Sequence, residues 1–98
     1  MNIPNEIRIG GVIYEVSFVD KIEIDGSTNY GGVFRFTKGK IELLKGMEGQ
    51  YQDVTFLHEV LHGIFRFLNF KFEEDEEDII ERLSRALYMF INDNPDIF

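Results

Sequence analysis

The chain has 98 residues, 44% of them hydrophobic, and its 10 basic and 18 acidic side chains give a formal net charge of −8. This length and composition predict one small globular domain over residues 1–98. The absence of cysteine excludes a disulfide framework and a thiolate zinc site. The acidic balance argues against nonspecific binding to nucleic acid and against binding to anionic membranes.

Neither a secretion signal nor a transmembrane helix is expected. Residues 1–20 lack a basic start followed by an unbroken apolar run. No apolar run approaches the roughly 18 residues that are needed to span a bilayer. Together with the lack of cysteine, these features predict a cytoplasmic protein.

The first third of the chain has the pattern of a β-hairpin. In EIRIGGVIYEVSFV, residues 6–19, apolar side chains alternate on both sides of Gly10 and Gly11. This alternation predicts two strands joined by a tight turn at the two glycines. Residues 25–32, DGSTNYGG, are rich in turn residues and predict a loop.

A second hairpin is predicted over VFRFTKGKIELL, residues 33–44, with its turn at Lys38 and Gly39. Residues 45–53 are polar and contain glycine, so they predict a connector.

From Asp53 onward the spacing of apolar residues is helical, because they recur three or four positions apart. This stripe comprises Val54, Leu57, Leu61, Phe65 and Leu68. Asp53 is the expected N-cap, and the helix is expected to end near Asn69.

A second helix is predicted over residues 75–92, where an acidic first turn complements the helix dipole. Its apolar positions are Ile79, Ile80, Leu83, Leu87, Phe90 and Ile91. The expected fold is α+β, in which a small antiparallel sheet of hairpins packs on two helices with the metal site between them.

The first helix carries the only two histidines of the chain, in the sequence FLHEVLHGI, residues 56–64. His58 and His62 lie one helical turn apart on the same face and can bind one zinc ion. Glu59 is rotated around the helix and is free to act as general base toward a water whose pKa zinc lowers to about 7. This is the metallopeptidase interpretation of H-E-x-x-H, and its alternative is a structural histidine pair without metal.

A third zinc ligand must be a carboxylate, because the chain has no other histidine and no cysteine. The sequence EEDEED, residues 73–78, opens the second helix and is the obvious source. A helical wheel places Glu76 nearest the apolar stripe, with Glu73 and Glu77 beside it and Glu81 farther toward solvent.

Two segments, QYQDVTFLHEVLHGIFRFLNF and EDIIERLSRALYMFINDNP, residues 50–70 and 77–95, resemble the small zinc metallopeptidases of phages and mobile elements. These are similar to ImmA/IrrE-type metallopeptidases and to minimal gluzincins. The resemblance implies a zincin-like fold, a phage or prophage origin and Zn²⁺ as cofactor. It also implies that His58, His62 and Glu77 bind the zinc and that Glu59 is the general base.

A peptide or protein substrate, including a regulator, is expected to add as a strand beside the active helix, with residues 40–44, KIELL, as the candidate edge strand. Tyr30, Arg35 and Tyr51 are candidate oxyanion donors. Zinc-dependent peptide hydrolysis is the leading hypothesis. The alternative is a zinc-binding interaction or regulatory protein without hydrolytic turnover.

Overall fold

The computed structural model describes residues 1–97 and confirms the α+β class. Four strands form one sheet: β1 (Glu6–Ile9), β2 (Val12–Val19), β3 (Gly32–Arg35) and β4 (Lys40–Leu44). Two helices follow, α1 (Gly49–Leu68) and α2 (Glu76–Asp93), and short 3-10 turns lie at Phe36–Lys38 and Pro95–Ile97. None of the helices in this described part of the chain has the length and apolarity to cross a membrane.

Both predicted hairpins are present. β1 pairs antiparallel with β2 across Gly10 and Gly11, whose φ angles of +58° and +81° suit glycine. β3 pairs antiparallel with β4, and the turn between them ends at Gly39, which has a φ of +63°. The loop predicted over residues 25–32 contains one isolated bridge, between Ile24 and Ser27.

The expectation of a wholly antiparallel sheet is wrong. The strand order is β1-β2-β4-β3, and β2 pairs with β4 in parallel. This parallel pairing sets Val16 beside Ile41 and Phe18 beside Leu43. Ile41 and Leu43 are fully buried at the centre of the sheet. KIELL is therefore an interior strand, and the open edges of the sheet belong to β1 and β3.

The first helix begins five residues earlier than predicted. Glu48 is its N-cap and Asn69 its C-cap, in the left-handed conformation. Asp53, the predicted N-cap, lies inside the helix instead, where it is buried and 3.4 Å from the amino group of Met1. Residues 49–53 of the predicted connector are thus helical.

The core lies between the sheet and α1. Phe56 and Leu57 pack on Ile9, Val16 and other apolar side chains of the sheet. Gly63 allows this approach, because a Cβ there would lie 2.5 Å from the Phe34 ring. The predicted stripe is partly wrong at its end, since Leu68 is exposed and the buried face includes Phe56, His58, Glu59 and Gly63.

The second helix packs on the first and closely matches its predicted range. Asp75 caps its N-terminus by accepting a hydrogen bond from the Glu77 amide at 2.9 Å. Its most buried residues are Ile80 and Ser84, whereas Leu83 is 42% exposed. The face that meets α1 therefore lies to one side of the predicted apolar stripe.

Candidate metal centre

The three predicted ligands come together between the helices. His58 and His62 lie one turn apart on α1, and Glu77 lies in the first turn of α2. One donor atom from each lies within 4.8 Å of the others. The Asp75 cap fixes where α2 starts, and this in turn sets the position of Glu77 opposite the histidines.

The donor atoms converge on one small volume. Nε2 of His58 is 3.2 Å from Nε2 of His62 and 2.6 Å from Oε1 of Glu77. Nε2 of His62 is 3.0 Å from Oε2 of Glu77. Adjacent nitrogens of tetrahedral zinc, with bonds of about 2.0–2.1 Å, stand about 3.3 Å apart. Two imidazoles and one carboxylate are also a ligand set of catalytic zinc, so the residues fit this ion.

The other acids of α2 contact the outer nitrogens of the imidazole rings. Oε2 of Glu81 is 3.0 Å from Nδ1 of His58, and Oε2 of Glu76 is 3.7 Å from Nδ1 of His62. A carboxylate at Nδ1 fixes the tautomer that leaves Nε2 free for a metal. Glu73 is exposed in the turn before α2 and is not part of the cluster.

Glu59 is the least solvated acid of the site. It is 7% exposed, it lines the cleft beside the cluster, and its carboxylate makes no hydrogen bond or ion pair with a described residue. Burial raises the pKa of Glu59 to about 7, with His58 opposing this rise and Glu77 adding to it. A buried carboxyl group that titrates near neutrality is suited to accept and release a proton.

Glu59 is held in place by the start of β3. A Cβ on Gly32 would lie 2.8 Å from Cγ2 of Thr55 and 3.3 Å from Oε2 of Glu59. Only glycine lets the strand come this close to α1 without displacing these side chains. Gly32 is not evident as a site residue from the sequence, where the glycine pair before the second hairpin is the only signal of this close approach.

The cleft has a volume of about 710 Å³. It is lined by the first turns of α1, by residues 29–32 and by one face of α2. Tyr30 and Tyr51, two of the predicted oxyanion donors, line it. Arg35, the third, is not in the lining and pairs with Glu42 through Nε at 2.5 Å.

Comparison with models of protein families, with curated proteins and with solved structures finds no match to this chain. The resemblance to phage metallopeptidases therefore stays a prediction.

Proposed function

We propose that the protein is a zinc-dependent peptidase with a zincin-like site of the minimal gluzincin type. The observation that carries the proposal is the buried carboxylate of Glu59, which makes no hydrogen bond or ion pair with a described residue. It lines the same cleft as His58 and Glu77, two of the three residues whose donor atoms converge. A structural histidine pair would account for the imidazoles. It would not account for a buried acid beside them that makes no hydrogen bond or ion pair.

The metal would be held by Nε2 of both histidines and by the carboxylate of Glu77. Zinc, when bound there, supplies Lewis acidity that polarises a substrate carbonyl and makes a water more acidic. Glu81 keeps His58 in the required tautomer by accepting the Nδ1 proton. Glu77 is mostly exposed, and its position depends on the capped first turn of α2.

Glu59 would perform the proton transfers. Its carboxylate takes a proton from the attacking water as the water oxygen bonds to the peptide carbon. The protonated carboxyl then donates this proton to the leaving amine as the C–N bond breaks. Tyr30 and Tyr51 carry hydroxyl groups in the cleft and are the candidates to stabilise negative charge on the carbonyl oxygen.

The open edge of β3 is the place for an extended peptide. The carbonyl of Gly31 accepts a hydrogen bond from the Leu44 amide at 2.8 Å. Because antiparallel pairing alternates, the backbone groups of Gly32 and Phe34 face away from β4 and are free at the edge. Gly32 also lines the cleft, so a peptide added at this edge passes in front of Glu59.

The test is cleavage of a mixed peptide library, followed by mass spectrometry, with zinc-loaded wild type and zinc-loaded Glu59→Gln. Wild type is expected to cleave, chelation to stop cleavage, and Glu59→Gln to keep zinc without cleaving. Undiminished hydrolysis by Glu59→Gln would overturn the mechanism. Bound zinc without turnover in wild type would instead support a zinc-binding interaction protein. The predicted phage or prophage origin and cytoplasmic location stay predictions.

A further inference from the structure

The walls of the cleft carry an excess of negative charge. The glutamates that line it are Glu48, Glu59, Glu77 and Glu81, and Arg85 is the single lysine or arginine among the described lining residues. Arg85 is held by Glu81, whose Oε1 is 3.0 Å from Nε and 2.9 Å from Nη2. A zinc ion held by Glu77 and the histidines, and Arg85 held by Glu81, leave Glu48 as the lining carboxylate of the rim that neither cation contacts.

Glu48 is the carboxylate whose charge is left without a partner at the mouth of the cleft. It is exposed, it makes no ion pair with a described residue, and its side chain does not cap α1. Lys45, the cation nearest to Glu48 in sequence, is already paired with Asp20. Glu48 is thus free to form an ion pair with a ligand.

Two tyrosine rings stand in the same lining as Glu48. Tyr51 is 70% exposed and Tyr30 is 38% exposed. The face of an aromatic ring attracts an ammonium or guanidinium group, and a carboxylate in the same lining can form an ion pair with such a cation. Lysine and arginine side chains, with their long apolar stems, are the natural complement of such a surface.

A second observation indicates that this cleft receives a ligand. Glu59 is more than nine-tenths buried, makes no hydrogen bond or ion pair with a described residue, and lines the cleft. The acidic rim is therefore continuous with a recess that holds an unpaired polar group, unlike an ordinary solvated surface.

We infer that the substrates are cationic peptides, whose lysine or arginine side chains are recognised by Glu48 together with Tyr30 and Tyr51. This inference rests on the proposed peptidase function and names its substrate class. The unpaired charge of Glu48 also accelerates the encounter with such peptides, and salt weakens this effect.

The test measures binding to zinc-loaded Glu59→Gln, so that turnover does not interfere. The probes are two short blocked peptides with a central tryptophan, identical except for lysines in one and glutamates in the other. The protein contains no tryptophan, so fluorescence excited at a wavelength that tyrosine does not absorb reports the peptide alone. Glu48→Lys is added to this background, with Glu6→Lys as control, since Glu6 is exposed on β1 at the far edge of the sheet.

At low salt, the lysine peptide is expected to bind about tenfold more tightly than the glutamate peptide. At high salt, this difference in affinity is expected to be smaller. Glu48→Lys is expected to remove most of this preference, and Glu48→Gln part of it. Glu6→Lys makes the same change in net charge and is expected to preserve the preference. Equal affinity for both peptides, or equal effects of Glu48→Lys and Glu6→Lys, would overturn the inference.

Failure of the peptidase function has a different outcome from failure of this inference. If wild type cleaves neither peptide but the lysine preference and its dependence on Glu48 are present, hydrolysis is refuted and recognition stands. If wild type cleaves both peptides with equal kcat/KM, hydrolysis stands and recognition of cationic peptides is refuted.

Discussion

Glu81 and His58 are joined across the two helices, with Oε2 of Glu81 3.0 Å from Nδ1 of His58. The opposite nitrogen of the same ring faces Glu77 at 2.6 Å. Glu77 and Glu81 are one turn apart on α2, so a single helix face supplies both a candidate ligand and the group that orients a second candidate ligand. Their relative position is therefore set by the helix itself.

Removing the Glu81 carboxylate is expected to weaken zinc binding. Glu81→Ala leaves Nδ1 of His58 without its acceptor, and loss of such a partner typically costs about 10- to 100-fold in metal affinity. Competition with a chromophoric chelator measures this change. Glu73→Ala is the control, because Glu73 is exposed outside the cluster. The zinc affinity of this variant is expected to match that of wild type. Equal affinities for all three proteins would refute the orienting role.

Gly63 is expected to resist substitution even though alanine favours helices. A Cβ there would lie 2.5 Å from the Phe34 ring and 2.7 Å from Cδ1 of Ile9. Overpacking of this kind costs about 1–3 kcal/mol, which exceeds the gain of about 1 kcal/mol from helix propensity. Gly63→Ala should therefore lower the free energy of unfolding, measured by urea denaturation.

Gly49→Ala is the matched control on the same helix. Gly49 is the first residue of α1, and a Cβ there would meet no atom within 4 Å. Its substitution is expected to leave stability unchanged or raise it slightly. If Gly63→Ala had the same free energy of unfolding as wild type, α1 would not depend on this close approach to the sheet.

The local structure followed from the sequence more readily than the order of the strands. Positive φ angles at Gly10 and Gly11 and a helical period after residue 53 are local properties, and both appear directly in the residue pattern. The parallel pairing of β2 with β4 is not local, because an alternating strand reads the same whichever neighbour it pairs with. KIELL was therefore predicted at an edge and lies in the interior.

The acid that joins the two histidines could likewise not be identified from the local residue pattern alone. The helical wheel favoured Glu76 because it counted Leu83 as buried, whereas Leu83 is exposed and Ser84 is fully buried. Ser84 can lie against α1 because it is small and its hydroxyl donates a hydrogen bond to the Glu81 carbonyl at 2.9 Å. Glu77, the residue implied by the family resemblance, is the acid that the structure brings to the two histidines.

The metal-free protein is expected to lose stability as the pH rises through neutrality. Burial raises the pKa of Glu59 from 4.5 to about 7, so the folded state binds this proton more tightly than the unfolded state. The stabilisation is complete below about pH 4.5 and is lost as the pH rises through about 7. At most, it amounts to about 3 kcal/mol.

Urea denaturation in the presence of a chelator tests this, with Glu59→Gln as reference, since an amide does not titrate. The free energy of unfolding of wild type relative to Glu59→Gln should decrease between pH 5 and pH 8. If the difference in free energy of unfolding between wild type and Glu59→Gln did not vary with pH, Glu59 would not be desolvated in the folded protein.

The most direct test of the account is the zinc content of protein prepared without a histidine tag, loaded with zinc and dialysed. Wild type, Glu59→Gln and Glu76→Ala are expected to hold about one zinc per chain, and His62→Ala and Glu77→Ala to lose it. Elemental analysis of the five proteins in parallel gives the answer. Absence of zinc from the loaded wild type, or retention of zinc in either His62→Ala or Glu77→Ala, would contradict a metal centre built by His58, His62 and Glu77.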